Sequence, residues 1–206
     1  MELRHDGKFV IFDFETESTN LCYRNRPWQM AYMICQGNRV LKKEDRYIWW
    51  DDLNISEGAK RITRFDYNKY KSKATPARET LEELQGLFAN EDYFIAGHNI
   101  IGFDVLVYQT FLKALGEKPD FSFAPRMIDT LCLAKALHLG IELQYEDLFA
   151  QQLGMAQTIC KGAKLTLGAL CKKFEIELNE EKMHDAFEDI EKNRIILNKL
   201  LWKCKL

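Results

Sequence analysis

Five side chains have the types and spacing to do chemistry together: Asp13, Glu15, Asp104, His184 and Asp189. The apolar run Phe9-Val10-Ile11-Phe12 delivers Asp13 and Glu15 at its end. With the period of two along a strand, both carboxylates share one face while Phe12 and Phe14 take the other. Ionised carboxylates are costly to bury, so a pair of them on an apolar strand calls for a compensating charge, and a divalent cation is the simplest one. An edge strand with a wet face would carry the same pattern. Asp104 comes directly after Phe103, and near the C-terminus His184 precedes Asp189 by five residues. That spacing is about 140° of helix, so one helix cannot turn both residues to the same site. Asp185 and Glu188 have capping-box spacing, which places His184 just before a helix and Asp189 in its first turn. An imidazole so placed titrates near neutrality and can accept a proton, although a lone histidine before a cap is also an ordinary surface residue.

Positioning these groups requires a sheet. Lys8 to Thr16 is the first strand, Glu17 to Arg26 is a polar loop, and Trp28 to Cys35 and Arg39 to Trp50 form strands around a Gly37-Asn38 hairpin turn. Tyr93 to Asn99 reads as a further buried strand, followed by an amphipathic run from Ile100 to Leu115 that carries Asp104. Thr75 and Pro76 have the form of an N-cap and a first helical residue, opening a helix through Leu81, Leu84, Leu87 and Phe88. Strand, helix and strand in that order, with the strands nearly all apolar, predict a βαβ crossover in a sheet covered on both faces. Met127 and Ile128 end a short strand, and Asp129 is placed to cap a helix over Thr130 to Leu139. Ile141 to Met155, Leu165 to Phe174 and Ala186 to Trp202 are expected to be helical. The whole pattern is α/β, and its 206 residues, 47% hydrophobic and 12% aromatic, suit one domain over 1–206.

A net charge of −2 provides no general attraction to a polyanion, so nucleic-acid binding would rest on local patches and metal ions. The strongly basic region lies within 51–78. From Lys60 to Arg78 it sets Lys60, Arg61, Arg64, Lys69, Lys71, Lys73 and Arg78 against Asp66 alone, with Phe65, Tyr67 and Tyr70 interleaved. Cations for phosphates and aromatic faces for bases are what a single-strand surface requires, whereas a solvated connection would pack its aromatics inward. The six cysteines form no Cys-x-x-Cys pair, and the polar stretch Met1 to Lys8 lacks a signal segment, so a reducing, cytoplasmic setting is expected and no membrane association. Cys160 and Cys171 match no standard zinc spacing and are read as structural thiols.

The segment Asp13-Phe14-Glu15-Thr16, the aromatic followed by Asp104, and His184 with Asp189 resemble, in order and spacing, the three motifs of the DnaQ-like (DEDDh) 3′→5′ exonuclease family. The resemblance runs from residue 13 to residue 189. It implies a ribonuclease-H-like mixed sheet, an antiparallel meander plus parallel strands flanked by helices. It also implies metal-dependent hydrolysis of phosphodiester bonds at single-stranded 3′ ends, DNA favoured, releasing nucleoside 5′-monophosphates. Two divalent ions roughly 4 Å apart can activate water, shield the phosphate and stabilise the leaving oxygen. Oxygen ligands suit two Mg²⁺ or Mn²⁺ ions. By resemblance, Asp13 bridges both ions, Glu15 and Asp189 complete the site of the attacking water, Asp104 supports the second ion, and His184 is the general base. Without metal, these carboxylates would repel one another.

Substrate contacts are assigned to Thr16 of the first motif, Leu21, His98, Asn99, Phe103, Lys69, Lys71 and Lys73. The family commonly has Thr-Gly-Leu after its first motif, whereas this chain has Thr16 followed by Glu17-Ser18-Thr19-Asn20-Leu21. Leu21 is therefore the candidate wedge against the terminal base. The tyrosine subclass of these exonucleases places Tyr where this chain has Asp185, so the histidine subclass fits. The implied partners are 3′ ends of single-stranded DNA or RNA, with a polymerase or a second copy of the chain left open. Only Lys203 to Leu206 follow the last expected helix, which favours a free-standing nuclease over a proofreading subunit. A binding or structural subunit that keeps the fold without chemistry is the competing class. It has no chemical reason to retain all five of these side chains.

Overall fold

The computed structural model describes residues 7–21, 24–177 and 185–206. Its spine is β1 (Lys8–Thr16), which pairs antiparallel with β2 (Pro27–Gln36), itself antiparallel to β3 (Arg39–Trp49). Gly37, at φ 54°, takes the left-handed turn conformation that the hairpin between β2 and β3 needs. The meander is thus as expected. The stretch beyond it is not one connection but two short helices, α1 (Glu57–Thr63) and α2 (Tyr67–Lys73). Ser56 caps α1 by accepting from the Ala59 N–H, and Asp66 caps α2 by accepting from Asn68 and Lys69.

Thr75 is not a helix cap. Ala74–Pro76 form β4, a short edge strand parallel to β3, and α3 (Ala77–Ala89) begins one residue later without a side-chain cap. An edge strand tolerates proline because its missing N–H need not serve a ladder on both sides. The second buried strand also ends earlier than expected. β5 (Phe94–Gly97) stops where a Cβ on Gly97 would lie 2.1 Å from the Ile100 side chain, so only glycine permits the tight turn into α4 (Asp104–Ala114). β6 (Met127–Asp129) leads directly into α5 (Thr130–Leu139), which Asp129 caps. Residues 141–144 are not helical. Gly140 ends α5 at φ 68°, Leu143 is drawn into the core, and a 3₁₀ turn at Tyr145–Asp147 precedes α6 (Leu148–Gln157). α7 (Leu167–Lys173) and α8 (Ala186–Cys204) follow, capped by Thr166 and Asp185.

The sheet order is β4-β3-β2-β1-β5-β6, with β1, β5 and β6 parallel. One face carries Phe9, Ile11, Ala31 and Met33 against α5 and α8, and the other carries Val10, Phe12, Tyr32 and Ile95 against α3 and α4. α8 buries Ile190, Ile196, Leu197, Leu200 and Leu201 at the spacing of a single helical face. Each such side chain contributes about 1.5–3 kcal/mol by leaving water, and this burial fixes the helix that carries Asp189. Ile11 pairs with Ala96 and Gly97 with Asp129, so the carboxyl ends of three parallel strands converge. Crevices at such ends are where open α/β sheets bind ligands.

Candidate active site

Asp13 and Glu15 leave the carboxyl end of β1 on the α8 side, as the period of two demands. The structure brings them together with Asp104 at the start of α4 and Asp189 in the first turn of α8. Burial, then Asp104, Glu15, Asp189 and Asp185 in that order, push the Asp13 carboxyl well above the usual carboxylate range. Glu15 is raised in the same way by burial first and by Asp189 next. Asp104 is pushed up to about 8 by burial, even though its Oδ1 accepts the Phe14 N–H at 3.1 Å. That bond ties α4 to the backbone between Asp13 and Glu15. Asp189 receives a cation of its own, Lys192 Nζ at 2.8 Å, one helical turn along α8 and itself buried. Sequence reasoning passed over Lys192, although its spacing of three from Asp189 was the available signal.

All four carboxylates offer hard oxygen, and Lys192, which donates to Asp189, is a cation rather than a ligand. This donor set fits Mg²⁺ or Mn²⁺. Among the described residues no three of these side chains close into a ligand cage. His184, the expected general base, lies outside the described residues. Asp185 caps α8 by accepting the Phe187 N–H at 3.0 Å, as the sequence suggested. In addition, its negative charge raises both Asp13 and Glu15.

Asp129 does more than cap α5. It is 1% exposed, and its two oxygens accept the N–H groups of Asn99 and Ile101 at 2.9 and 3.0 Å besides those of Leu131 and Cys132. The turn it grips runs from Gly97 to Asp104, with Asn99 held at φ 64°. Asp129 therefore positions Asp104, a role that spacing alone did not disclose. His98 lies in the same turn. Its Nδ1 is 3.0 Å from the Thr130 hydroxyl, and burial lowers its pKa to about 4, so the ring is neutral at physiological pH. His98 and Asn99 line a cleft of about 570 Å³ together with Asp13, Asp189 and residues of the stretch from Thr158 to Leu167.

The remaining expected contacts are dispersed. Thr16 is buried and donates its hydroxyl to the Ser18 carbonyl at 2.7 Å, which occupies it within the loop rather than towards the cleft. Phe103 packs half-buried against the core before α4. Leu21 is 42% exposed on the loop after β1 and is not part of the cleft lining. Lys69 and Lys73 place their ammonium groups 5.4 and 5.7 Å from the centre of the Tyr47 ring, while Lys71 is exposed on α2. The aromatic reading of this region needs correction. Tyr70 is fully buried, with its hydroxyl donating to the Ile48 carbonyl and accepting from the Trp50 N–H, and Phe65 packs edge-on to Trp28. Tyr67, 57% exposed, is the ring of the three that faces solvent. The charge excess is also smaller than the Lys60-to-Arg78 count, because Asp51, Asp52 and Glu57 head the same segment.

The six-stranded mixed sheet with helices on both faces has the ribonuclease-H-like fold, and its carboxylates gather where the parallel strands end and α4 and α8 begin. A family model described as an exonuclease, RNase_T, matches residues 10–197, and the chain belongs to that family. It is 25% identical over 186 residues to the PolC-type DNA polymerase III of Mycoplasma genitalium, and 22% identical over 184 residues to that of Ureaplasma parvum. These matches cover 90% and 89% of this chain but 11% of each relative. Among solved structures, the zinc-bound E. coli exonuclease I complex with single-stranded DNA superposes with a TM-score of 0.75 at 21% identity, covering 95% of this chain and 41% of that one. E. coli exonuclease I with a dA16 oligonucleotide gives 0.75 at 19% identity, covering 96% and 41%. No helix among the described residues is long and apolar enough to cross a membrane.

Proposed function

We propose that this domain is a metal-dependent 3′→5′ exonuclease that hydrolyses single-stranded nucleic acid, DNA favoured, to nucleoside 5′-monophosphates. The observation that carries the reading is the convergence of half-buried Asp13 and Glu15 with buried Asp104 and with Asp189, where Asp13, Glu15 and Asp104 are unfavourable as anions unless a cation joins them. Two Mg²⁺ or Mn²⁺ ions, when bound, supply activation of water, charge shielding on the scissile phosphate and stabilisation of the departing oxygen. Asp13, Glu15 and Asp189 would hold one ion, and Asp13 and Asp104 the other. Asp129 holds the Asp104 turn in register, and Lys192 orients Asp189. His184 would take the proton of the attacking water, since an imidazole of near-neutral pKa is suited to that transfer. Lys69 and Lys73, beside Tyr47 and on the side of Asp185, would meet phosphates of the strand upstream of the cut, with Lys71 completing the set. Leu21 remains the proposed wedge at the terminal base.

The oligonucleotides bound to E. coli exonuclease I support a single-stranded DNA substrate. The PolC-type relatives favour proofreading for a polymerase as the second reading. The test is incubation of the purified chain with 5′-labelled single-stranded DNA and RNA. We expect ladders shortened from the 3′ end with Mg²⁺ or Mn²⁺ and none with chelator. Shortening that persists in excess chelator would overturn the metal-dependent reading.

A further inference from the structure

Beyond the cleft, a second cavity of about 380 Å³ opens between the segment after β3 and the α1–α2 pair, lined by Leu53, Asn54, Ile55, Lys60, Phe65 and Tyr67. It is anchored to the end of the strand that carries the carboxylates. Glu17, two residues beyond Glu15, accepts the Asn54 N–H on its side chain at 2.7 Å and the Ser56 N–H on its carbonyl at 2.8 Å. Phe65, on the cavity wall, packs 4.9 Å from Trp28, whose indole N–H donates to the Thr16 carbonyl at 3.2 Å. Two short chains of contacts thus join this cavity to the residues immediately after Glu15.

Its lining is two-sided in chemistry. Leu53, Ile55 and Phe65 make an apolar wall, and the exposed ring of Tyr67 stands at the rim, supported 6.3 Å away by the buried Tyr70. Lys60 adds a cation, paired at 2.7 Å with Glu57, a surface carboxylate with an 89% exposed side chain. A pair this exposed is weak and readily exchanged for a phosphate. Arg61 and Arg64 extend the positive charge along and just past α1. An aromatic rim over an apolar wall, with the Lys60 ammonium on the lining, is complementary to a nucleobase whose phosphate stays outside. The concavity is within the size range of small-ligand sites.

Resting on the exonuclease reading, we propose that this cavity takes an unstacked base of the single strand, upstream of the nucleotide being cut, against the Tyr67 ring with Lys60 on its phosphate. The test is an abasic scan. A series of labelled single-stranded DNAs with a non-hydrolysable 3′-terminal linkage carries one abasic residue at successive positions, and binding is followed by anisotropy. In the wild-type chain one non-terminal position should weaken binding roughly tenfold, the scale of one base stacked on one aromatic ring. In Tyr67→Ala the intact oligonucleotide should lose that same factor and the abasic residue should add nothing, whereas Tyr67→Phe should keep the wild-type profile. A flat upstream scan, or a sensitive position unaffected by Tyr67→Ala, overturns the base pocket while leaving the exonuclease reading intact if the hydrolysable DNA is still shortened. A wild-type chain that neither binds nor shortens any of these strands overturns both.

Discussion

Glu83 and the carboxylates of Asp13 and Glu15 sit on opposite faces of one sheet and meet opposite fates. Glu83, on α3, would be raised by burial, but Arg46 at 2.9 Å, the Tyr32 hydroxyl and Lys42 at 3.0 Å overcome this and bring it down to about 2. Asp13 and Glu15 are half-buried among further carboxylates, and Asp104, Asp189 and Asp185 all push them the same way as burial. The first arrangement is what a chain does with a partly buried charge when stability is the only demand. The second sets carboxylates against one another, a conflict that protonation or a bound cation relieves, and proteins tolerate such conflict at functional sites.

The comparison can be broken most strongly at Asp13. Asp13→Asn should reduce exonuclease activity by at least about 10⁴-fold, because it removes a ligand shared by both proposed ions, measured as release of nucleotide from labelled single-stranded DNA. His184→Ala should cost less, about 10²- to 10⁴-fold, and should leave metal binding in place. In that variant the limb of the pH–rate profile that rises through the imidazole pKa should move or vanish, and a profile and rate identical to wild type would remove His184 from the mechanism.

Asp129→Ala leaves buried N–H groups of the Asp104 turn without their acceptor. It should lower stability by about 2–4 kcal/mol in denaturant titrations. Turnover by the remaining folded protein should fall too, since Asp104 loses its register. A stability loss without any fall in turnover would reduce Asp129 to a helix cap. The smallest effect belongs to Glu83. Its folded pKa is depressed, so its contribution is present above the unfolded value near 4.5 and is lost as pH falls towards 2. After allowance for partial exposure, Glu83→Gln should cost about 1–2 kcal/mol at neutral pH and nearly nothing at the acid end, with activity retained. A difference between variant and wild type that does not shrink on acidification would show that Glu83 is not held as an anion.

Much of the site was legible because its motifs are local. Strand alternation put Asp13 and Glu15 on one face, and capping-box spacing put Asp189 in the first turn of α8, both as the structure has them. Non-local geometry was not legible. The Asp129 oxygens reach back thirty residues to Asn99, and the Phe14 N–H donates to Asp104 across ninety positions. The basic segment misled for a physical reason, since its aromatics follow a pattern equally suited to stacking on bases and to packing inward. Tyr70 and Phe65 went inward against Trp28 and Tyr47, and Tyr67 stayed outside. Thr75 failed as a cap because pairing with β3 engaged its backbone first.

The most direct measurement is thermal unfolding of the wild-type chain and Asp13→Asn at pH 8, each with chelator and with Mn²⁺. A buried acid whose folded pKa is raised weakens the fold as pH climbs past its unfolded value, so without metal the wild type carries that cost at pH 8 and Asp13→Asn is relieved of part of it. The variant should therefore melt higher than wild type in chelator. Mn²⁺ should raise the wild-type midpoint and raise that of Asp13→Asn far less. A wild-type midpoint indifferent to Mn²⁺, or an Asp13→Asn chain less stable than wild type in chelator, would contradict a cation site built from these carboxylates.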